Sequence, residues 1–546
     1  MSATLRPELD VAASAPPAGP SGDLIWKIGL ALLLVATAAL MLYLSRGLTF
    51  NLDEWTVVTD RRGTGAPSLL EPHNEHLSIL ILGLLVGLLK IGGLDAQPLM
   101  MVPLIALQVT LGVLLFVIAR RRVGAGVALG VAAVAMLSGL AYENFLVPGQ
   151  AGQMASIVSG VAAFALLDLP RSRRNDRLLA GLMIISIASS GMGIPVLVGI
   201  AVELLATAEG RERLWVVGVP FALYLLWYLA YGINRAGFDE LALSLLWAWT
   251  ALSHAAGAII GERQIEPGRQ LLVLLLVVLA YRTWRIEPRA RVRMLALATI
   301  LVTFYGLTAI SRHDIAPPSS SRYLTVGLVF LLLMLVEAAR GWRIRRWVPA
   351  VVLLLVLISF SKDSALAFRE GRTVFLERSN RVRASLGAVE LLGRERVDPK
   401  LEIAPLAAPF LEAGGWFAAR ADLSGNPADS PRELLTAPAD ARNFADDTLV
   451  RAGGLALGPP GAEPETCRPP WTGDHGTVPV AGVRIEAGTS EALALRARRL
   501  GTQWVMVGAL PLPPSRAVEL HPLHDALSKP YEVQAKGAAR VCTLGR

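Results

Sequence analysis

Charge is scarce in this chain. Of its 546 residues only 18% are Asp, Glu, Lys or Arg, against about a quarter in ordinary soluble domains, and this excludes a conventional soluble enzyme. Cysteine is nearly absent. Cys467 and Cys542 are the only two, with no CxxC pair and no zinc-ligand spacing, so a structural zinc module is excluded too. On an extracytoplasmic tail they could form a disulfide, or they could remain two buried thiols. Ionisable residues are also missing from the interiors of the apolar segments, where a proton- or ion-coupled transporter needs them.

What is present is apolar. Hydrophobic residues make up 53% of the chain and the mean hydropathy is +0.50, which excludes disorder for most of its length. The apolar residues gather between Leu24 and Phe360. The expected organisation is a disordered cytoplasmic leader (1–22), a polytopic transmembrane domain (23–360) and an extracytoplasmic soluble domain (361–546). In the last of these, a long helix is expected from about Ser364 to Glu395. A helix over Glu491–Leu500 and a strand over Gln503–Val507 suggest an α/β unit.

The net charge of +8 comes from arginines sitting between apolar segments, where they act as orientation signals rather than as a nucleic-acid footprint. Five clusters, within 120–122, 171–177, 211–213, 282–293 and 340–346, hold 18 arginines in 32 residues, whereas the other loops hold 8 in 96. All five can face the cytoplasm only if the apolar segments 77–91 and 241–260 do not cross. The expected fold is therefore an α-helical polytopic membrane protein with about eleven transmembrane helices, two outer juxtamembrane helices and a C-terminal soluble α/β domain. Its N-terminus would be cytoplasmic, its C-terminal domain extracytoplasmic, and its location the cell (plasma or inner) membrane.

Polar residues concentrate in the loops assigned to the outer face. Asp53 and Glu54 follow the first span, and neighbouring carboxylates in a partly desolvated site raise each other's pKa, which makes a usable general base. A solvated acidic loop is the plainer alternative. His73-Asn74-Glu75-His76 opens the segment 77–91, and on a helix its histidines would share a face. Those side chains suit substrate hydrogen bonding or a polar helix cap. A metal at His73 and His76 with Asp53 or Glu54 is a lesser reading, so no cofactor is assured and a divalent metal is not indicated. Glu143 lies where the span 124–141 emerges. Arg312 and Arg322 lie in the last outer loop, and Arg322, beside Tyr323, could hold a lipid phosphate through paired hydrogen bonds or simply snorkel.

The order of these features resembles a known family. A span is followed by outward Asp53-Glu54, a His-led apolar helix (His73 to Ile91), Gly92-Gly93, the span 98–119, arginines 120–122, the span 124–141 and acidic Glu143. Ser321-Arg322-Tyr323 opens a late span. This looks like the GT-C superfamily of integral-membrane glycosyltransferases, especially the bacterial branch similar to protein mannosyltransferases and aminoarabinose transferases. The sequence departs from it at His73-Asn74-Glu75, where the family often has His-Pro-Pro, and at Gln153-Met154-Ala155. The resemblance implies Asp53 as catalytic base or acceptor-binding carboxylate, assisted by Glu54, and Arg322 on the phosphate of a polyprenyl-phosphate sugar.

The expected function is transfer of a sugar from a polyprenyl-phosphate donor to an acceptor hydroxyl on the outer face. Asp53 and Glu54 would be catalytic, and His73, Asn74, His76, Glu143, Arg312, Arg322 and Tyr323 would bind substrate. The partners are then the lipid-linked donor, a glycan, lipid or protein acceptor, and membrane lipids, with no nucleic acid. The alternatives are a lipid-linked glycan polymerase or ligase, or a non-catalytic lipid or glycan transporter or scaffold.

Overall fold

Long apolar stretches with few helix breakers set the architecture, since a segment surrounded by lipid must satisfy its backbone hydrogen bonds internally. A computed structural model describes residues 20–61, 69–233, 240–342, 347–461, 475–487, 493–510 and 517–544. The leader expected at 1–22 falls almost wholly outside them. Among the described residues, eight helices are long and apolar enough to cross a membrane, and two shorter apolar helices accompany them.

The helices are α1 (Pro20–Leu44), α2 (Glu54–Thr59), α3 (Ile79–Gly92), α4 (Gln97–Val123), α5 (Ala125–Leu137), α6 (Glu143–Leu146), α7 (Ala151–Leu167), α8 (Arg173–Ser189) and α9 (Gly193–Leu205). They continue with α10 (Ala208–Arg211), α11 (Trp215–Tyr231), α12 (Leu241–Ile259), α13 (Ile265–Arg285), α14 (Pro288–Arg312), α15 (Ser321–Ala338), α16 (Val348–Ser359) and α17 (Ala365–Leu392). At 13 residues each, α5 and α9 rise only about 20 Å. They nevertheless run from one end of the bundle to the other, with much of their surface buried by neighbours.

Ion pairs establish that the arginine clusters share one end. Arg122 pairs with Asp168 at 2.9 Å and with Glu337, while Arg293 reaches Glu203 at 2.5 Å and Asp168 at 3.2 Å. These contacts join the ends of α4, α7, α9, α14 and α15. At the same end Arg213 pairs with Asp176 at 2.7 Å, and Arg282 donates to the carbonyls of Ala338 and Arg340.

The two segments expected not to cross have both termini at the opposite end. Helix α3 starts next to His76, and the backbone N–H of Leu94, just past its end, donates to the Ser424 carbonyl of the tail at 2.7 Å. Helix α12 follows Glu240, which meets His313 at 3.1 Å, and leads to Arg263, which pairs with Glu370. By length and composition α12 could cross, but it lies across that end, packed on α13, α14 and α15. Among the described residues, eleven helices (α1, α4, α5, α7, α8, α9, α11, α13, α14, α15 and α16) connect the two ends.

The tail sits on the end away from the arginine clusters. Helix α17 packs on α20 (Ala439–Arg451), after α18 (Ala413–Asp422) and α19 (Pro431–Thr436). A hairpin of β1 (Glu402–Ala404) and β2 (Ala408–Glu412) precedes α18. Beyond α20 come β3 (Leu455–Gly458), β4 (His475–Val478), β5 (Val483–Ala487), β6 (Leu493–Arg498), β7 (Val505–Leu510), β8 (Ala517–Pro522), β9 (Tyr531–Lys536) and β10 (Ala538–Thr543). These form two four-stranded antiparallel sheets, ordered β10-β5-β8-β3 and β4-β9-β6-β7. One apolar core, including Ile485, Leu495, Leu520 and Val533, draws on both.

Within the range expected to be a helix, Glu491–Leu500, residues 493–498 instead form strand β6. Leu493, Leu495 and Ala497 are buried and alternate with half-buried Ala494, Arg496 and Arg498. That period of two overrides the helix propensity of Leu, Ala and Arg. Cys542 on β10 is disulfide-bonded, and Cys467 lies outside the described residues.

Candidate active site

The site end is built around the loop after α1. Phe50 and Trp55 meet edge to face at 5.2 Å, and Trp55, fully buried, meets Trp416 of the tail at 6.3 Å. This aromatic anchor fixes the turn in which Leu52 adopts a positive φ of 40° and Asp53 precedes α2. The Asp53 side chain is half-buried, and its Oδ2 accepts a hydrogen bond from Asn74 Nδ2 at 2.6 Å.

Glu54 points the other way. It is 5% exposed, its Oε2 accepts from the Asn51 N–H at 2.8 Å, and its Oε1 accepts from the Gly149 N–H at 2.6 Å. Burial is the main reason its pKa is pushed up to about 7, and the charge of Asp53 adds a smaller upward push. Glu54 thus fastens the first site loop to the 148–150 turn. The two adjacent carboxylates are divided between a half-exposed one and a buried one.

Residues 73–76 do not form a helix. His73 and His76 exchange backbone hydrogen bonds of 3.1 and 3.0 Å, and the two residues between them, Asn74 and Glu75, have φ of 50° and 71°. Two central residues at positive φ define a tight turn of the type I′ kind, and Asn is one of the few L-residues that enters this region readily. The helix begins only at Ile79, so the histidines face each other across a turn rather than along a helix face.

The His73 ring lies near Asp53 and Arg61, and burial holds its pKa below the usual value despite the Asp53 charge. His76 is likewise lowered, by burial and then by Arg312. Its ring rests against Gly191, where a Cβ would come within 2.7 Å of Nδ1. Both rings are therefore mostly neutral at pH 7 and offer one donor and one acceptor each. Arg61 donates to the Pro72 carbonyl at 3.1 Å, and Arg312 pairs with Glu75 at 3.7 Å. Among the described residues, no group of three or more His, Cys, Asp or Glu side chains is placed to hold a metal ion.

A second cluster forms around Glu143 at the start of α6. Its N–H donates to Ser321 Oγ at 3.3 Å, and its Oε2 lies 3.9 Å from Arg322 Nε. The Arg322 guanidinium sits 5.3 Å from the Tyr323 ring centroid, and its backbone carbonyl accepts from Gln153 Nε2 at 2.7 Å. Arg322 Nε is buried and has no hydrogen-bond partner within the protein. Tyr323 itself is buried, wedged between Trp247 at 5.5 Å and Phe304 at 6.3 Å, so it supports the site rather than facing it.

One cation of the site was not anticipated from sequence. Arg378, from α17 in the tail, donates to Asn51 Oδ1 at 2.9 Å and feels the charge of Glu143. Burial lowers its pKa from the usual arginine value. Nothing in the sequence distinguishes Arg378 from the other arginines of a long amphipathic helix. It links the two clusters, because Asn51 is two residues before Asp53.

The end therefore combines a half-buried carboxylate oriented by an amide, two neutral imidazoles, a second carboxylate and several guanidinium groups, all above an apolar bundle. No family model matches the chain, and no curated protein matches it in sequence. The fold is similar to the crystal structure of ArnT from Cupriavidus metallidurans bound to undecaprenyl phosphate, at 14% identity and a TM-score of 0.40, over 80% of this chain and 93% of that one.

Proposed function

We propose that the chain is a membrane glycosyltransferase that moves a sugar from a polyprenyl-phosphate donor to an acceptor hydroxyl. The observation that carries this reading is that the Asn74-held Asp53 and the Arg322–Glu143 cluster stand at one end of an apolar helix bundle, linked through Arg378. A donor of this class has an apolar chain that suits lipid and helix surfaces, and a phosphodiester headgroup that suits the polar end. The family resemblance of residues 24–170 points the same way.

In the proposed reaction Asp53 accepts the proton of the acceptor hydroxyl as its oxygen bonds to the anomeric carbon. The bond from that carbon to the phosphate oxygen breaks and its electron pair leaves with the phosphate. The lipid phosphate thereby goes from a monoanionic diester to a dianionic monoester. Arg322, whose Nε has no protein acceptor, and Arg378 supply positive charge where it accumulates, an arrangement that favours the transition state over the ground state. His73 and His76 hydrogen-bond hydroxyls, and Glu54 holds the loop in register.

The arginine-rich end is assigned to the cytoplasm by the positive-inside rule, which makes the site and residues 361–546 extracytoplasmic. Transfer of radiolabelled sugar by purified protein from a panel of polyprenyl-phosphate sugars tests the reading. Asp53→Asn is expected to abolish most transfer while leaving the protein folded. Unchanged product formation by that variant would refute it.

A further inference from the structure

Beside Tyr142, on the flank of the Glu143–Arg322 cluster, lies a cavity of about 230 Å³ that the mechanism above does not use. We propose that this cavity binds a single sugar ring, which rests on the glycosyltransferase reading and specifies where a sugar sits. Its volume is below the roughly 300 Å³ at which drug-sized ligand pockets begin, and this suits one ring rather than an oligosaccharide.

The lining has the chemistry that a polyol needs. Tyr142, His254, Glu262, Arg263 and Ser319 supply donors and acceptors, and Leu140 and Leu324 supply apolar surface for the C–H face of a ring. The arrangement is fixed in advance. Glu262 Oε1 accepts from the backbone N–H groups of Arg263 and Gln264, both at 2.9 Å, which leaves Oε2 for a ligand hydroxyl. Arg263 forms a two-pronged pair with Glu370 of α17, joining the α12–α13 turn to the tail.

That turn is tight enough to deliver both residues. Gly261 has a φ of 74°, and Gly268 lies so close to Ser253 that a Cβ would come within 2.5 Å of its carbonyl oxygen. The cavity also adjoins the Glu143–Arg322 cluster. Ser321, which lines it, accepts the N–H of Glu143, and the next residue along is Arg322.

A sugar ring there could be that of the donor or that of the acceptor, and one binding experiment separates them. The purified full-length protein is titrated with undecaprenyl phosphate, with undecaprenyl phosphate carrying each of a panel of hexoses, pentoses and amino sugars, and with the matching methyl glycosides. The wild type is expected to bind at least one sugar-bearing lipid ten-fold or more tightly than the bare lipid phosphate, or to bind a methyl glycoside alongside the bare lipid. The first result places the donor's sugar in the cavity and the second the acceptor's.

In either case Glu262→Gln and Ser319→Leu are expected to remove most of the sugar-dependent gain, with bare-lipid affinity held within about two-fold and unfolding temperature unchanged. Glu262→Gln keeps an Oε1 acceptor for the two backbone amides, so it tests the ligand role rather than the turn. Absence of any sugar-dependent binding, or its persistence in both variants, overturns the cavity assignment. Loss of bare-lipid binding in the wild type overturns the donor assignment instead, and sugar binding that still depends on Glu262 and Ser319 would leave the cavity standing.

Discussion

Asn74 holds Asp53 by a 2.6 Å hydrogen bond from its side-chain amide to Oδ2, and it can do so because its backbone is left-handed, with φ at 50°. One residue supplies both the turn geometry and the carboxylate's orientation. Asn74→Gly keeps the turn and removes the amide, while Asn74→Ala removes both. Asn74→Gly is expected to lower kcat by about ten-fold or more with little change in unfolding temperature, since orientation of a general base contributes a share of the 10²- to 10⁴-fold attributable to such groups. Asn74→Ala should lose activity and also about 1 kcal/mol of stability from its positive φ. Equal kcat in wild type and Asn74→Gly would show that Asp53 needs no such support.

Glu54 gives a pH signature to stability. Its pKa is raised from 4.5 to about 7 in the folded chain, chiefly by burial. Below about pH 4.5 both folded and unfolded states hold the proton, and this group makes no difference. Between about 4.5 and 7 only the folded state holds it, so unfolding releases a proton and stability falls as pH rises. Above about 7 both states are ionised and the full penalty, on the order of 3 kcal/mol, is in place. Wild-type unfolding temperature, measured against Glu54→Gln, should decline from pH 5 to 7 and then level off. Parallel curves for the two proteins would exclude the burial argument.

The large-scale arrangement was legible because it rests on a charge asymmetry that can be counted along the chain. Arginines favour the cytoplasmic loops of membrane proteins, so counting them by loop placed α3 and α12 at one end, where their termini meet the tail and each other's neighbours. The site's local geometry was not legible in the same way. Asp53 and Glu54 are adjacent in sequence, and only the fold sends one toward Asn74 and the other toward Gly149. The three-residue spacing of His73 and His76 fits a helix face, but Asn-Glu at positive φ makes a turn that spacing cannot reveal. Arg378 reaches Asn51 across 327 residues of sequence, a contact set by tertiary packing alone.

Arg322 lies 3.9 Å from Glu143 and has an unsatisfied buried Nε, so it can be turned toward an incoming phosphate at little cost. Arg322→Ala is expected to lower kcat about 10²-fold or more, the scale seen when one preorganised donor to developing charge is lost. Arg322→Lys should recover part of it, because the charge remains but the planar two-pronged donor does not. Glu143→Gln should raise affinity for bare lipid phosphate by removing a competing anion. Identical kcat values for the Ala and Lys variants would argue against a role in phosphate stabilisation.

At the opposite end, Arg293 is 5% exposed and holds Glu203 through Nε and Nη2 at 2.5 and 2.7 Å while also reaching Asp168. Replacing it with Met strands buried carboxylate charge, and breaking one partner of such a pair typically costs about 3–5 kcal/mol. Arg293→Met should therefore lower the unfolding temperature markedly. Adding Glu203→Leu should restore much of the loss, because an apolar pair of similar volume needs no compensating charge. Sugar transfer per folded molecule should stay near wild type in the double variant, since this network lies across the bundle from Asp53. If the single variant is as stable as wild type, Arg293 does not hold α9 to α14, and their cohesion comes from apolar packing and the other polar contacts of that end.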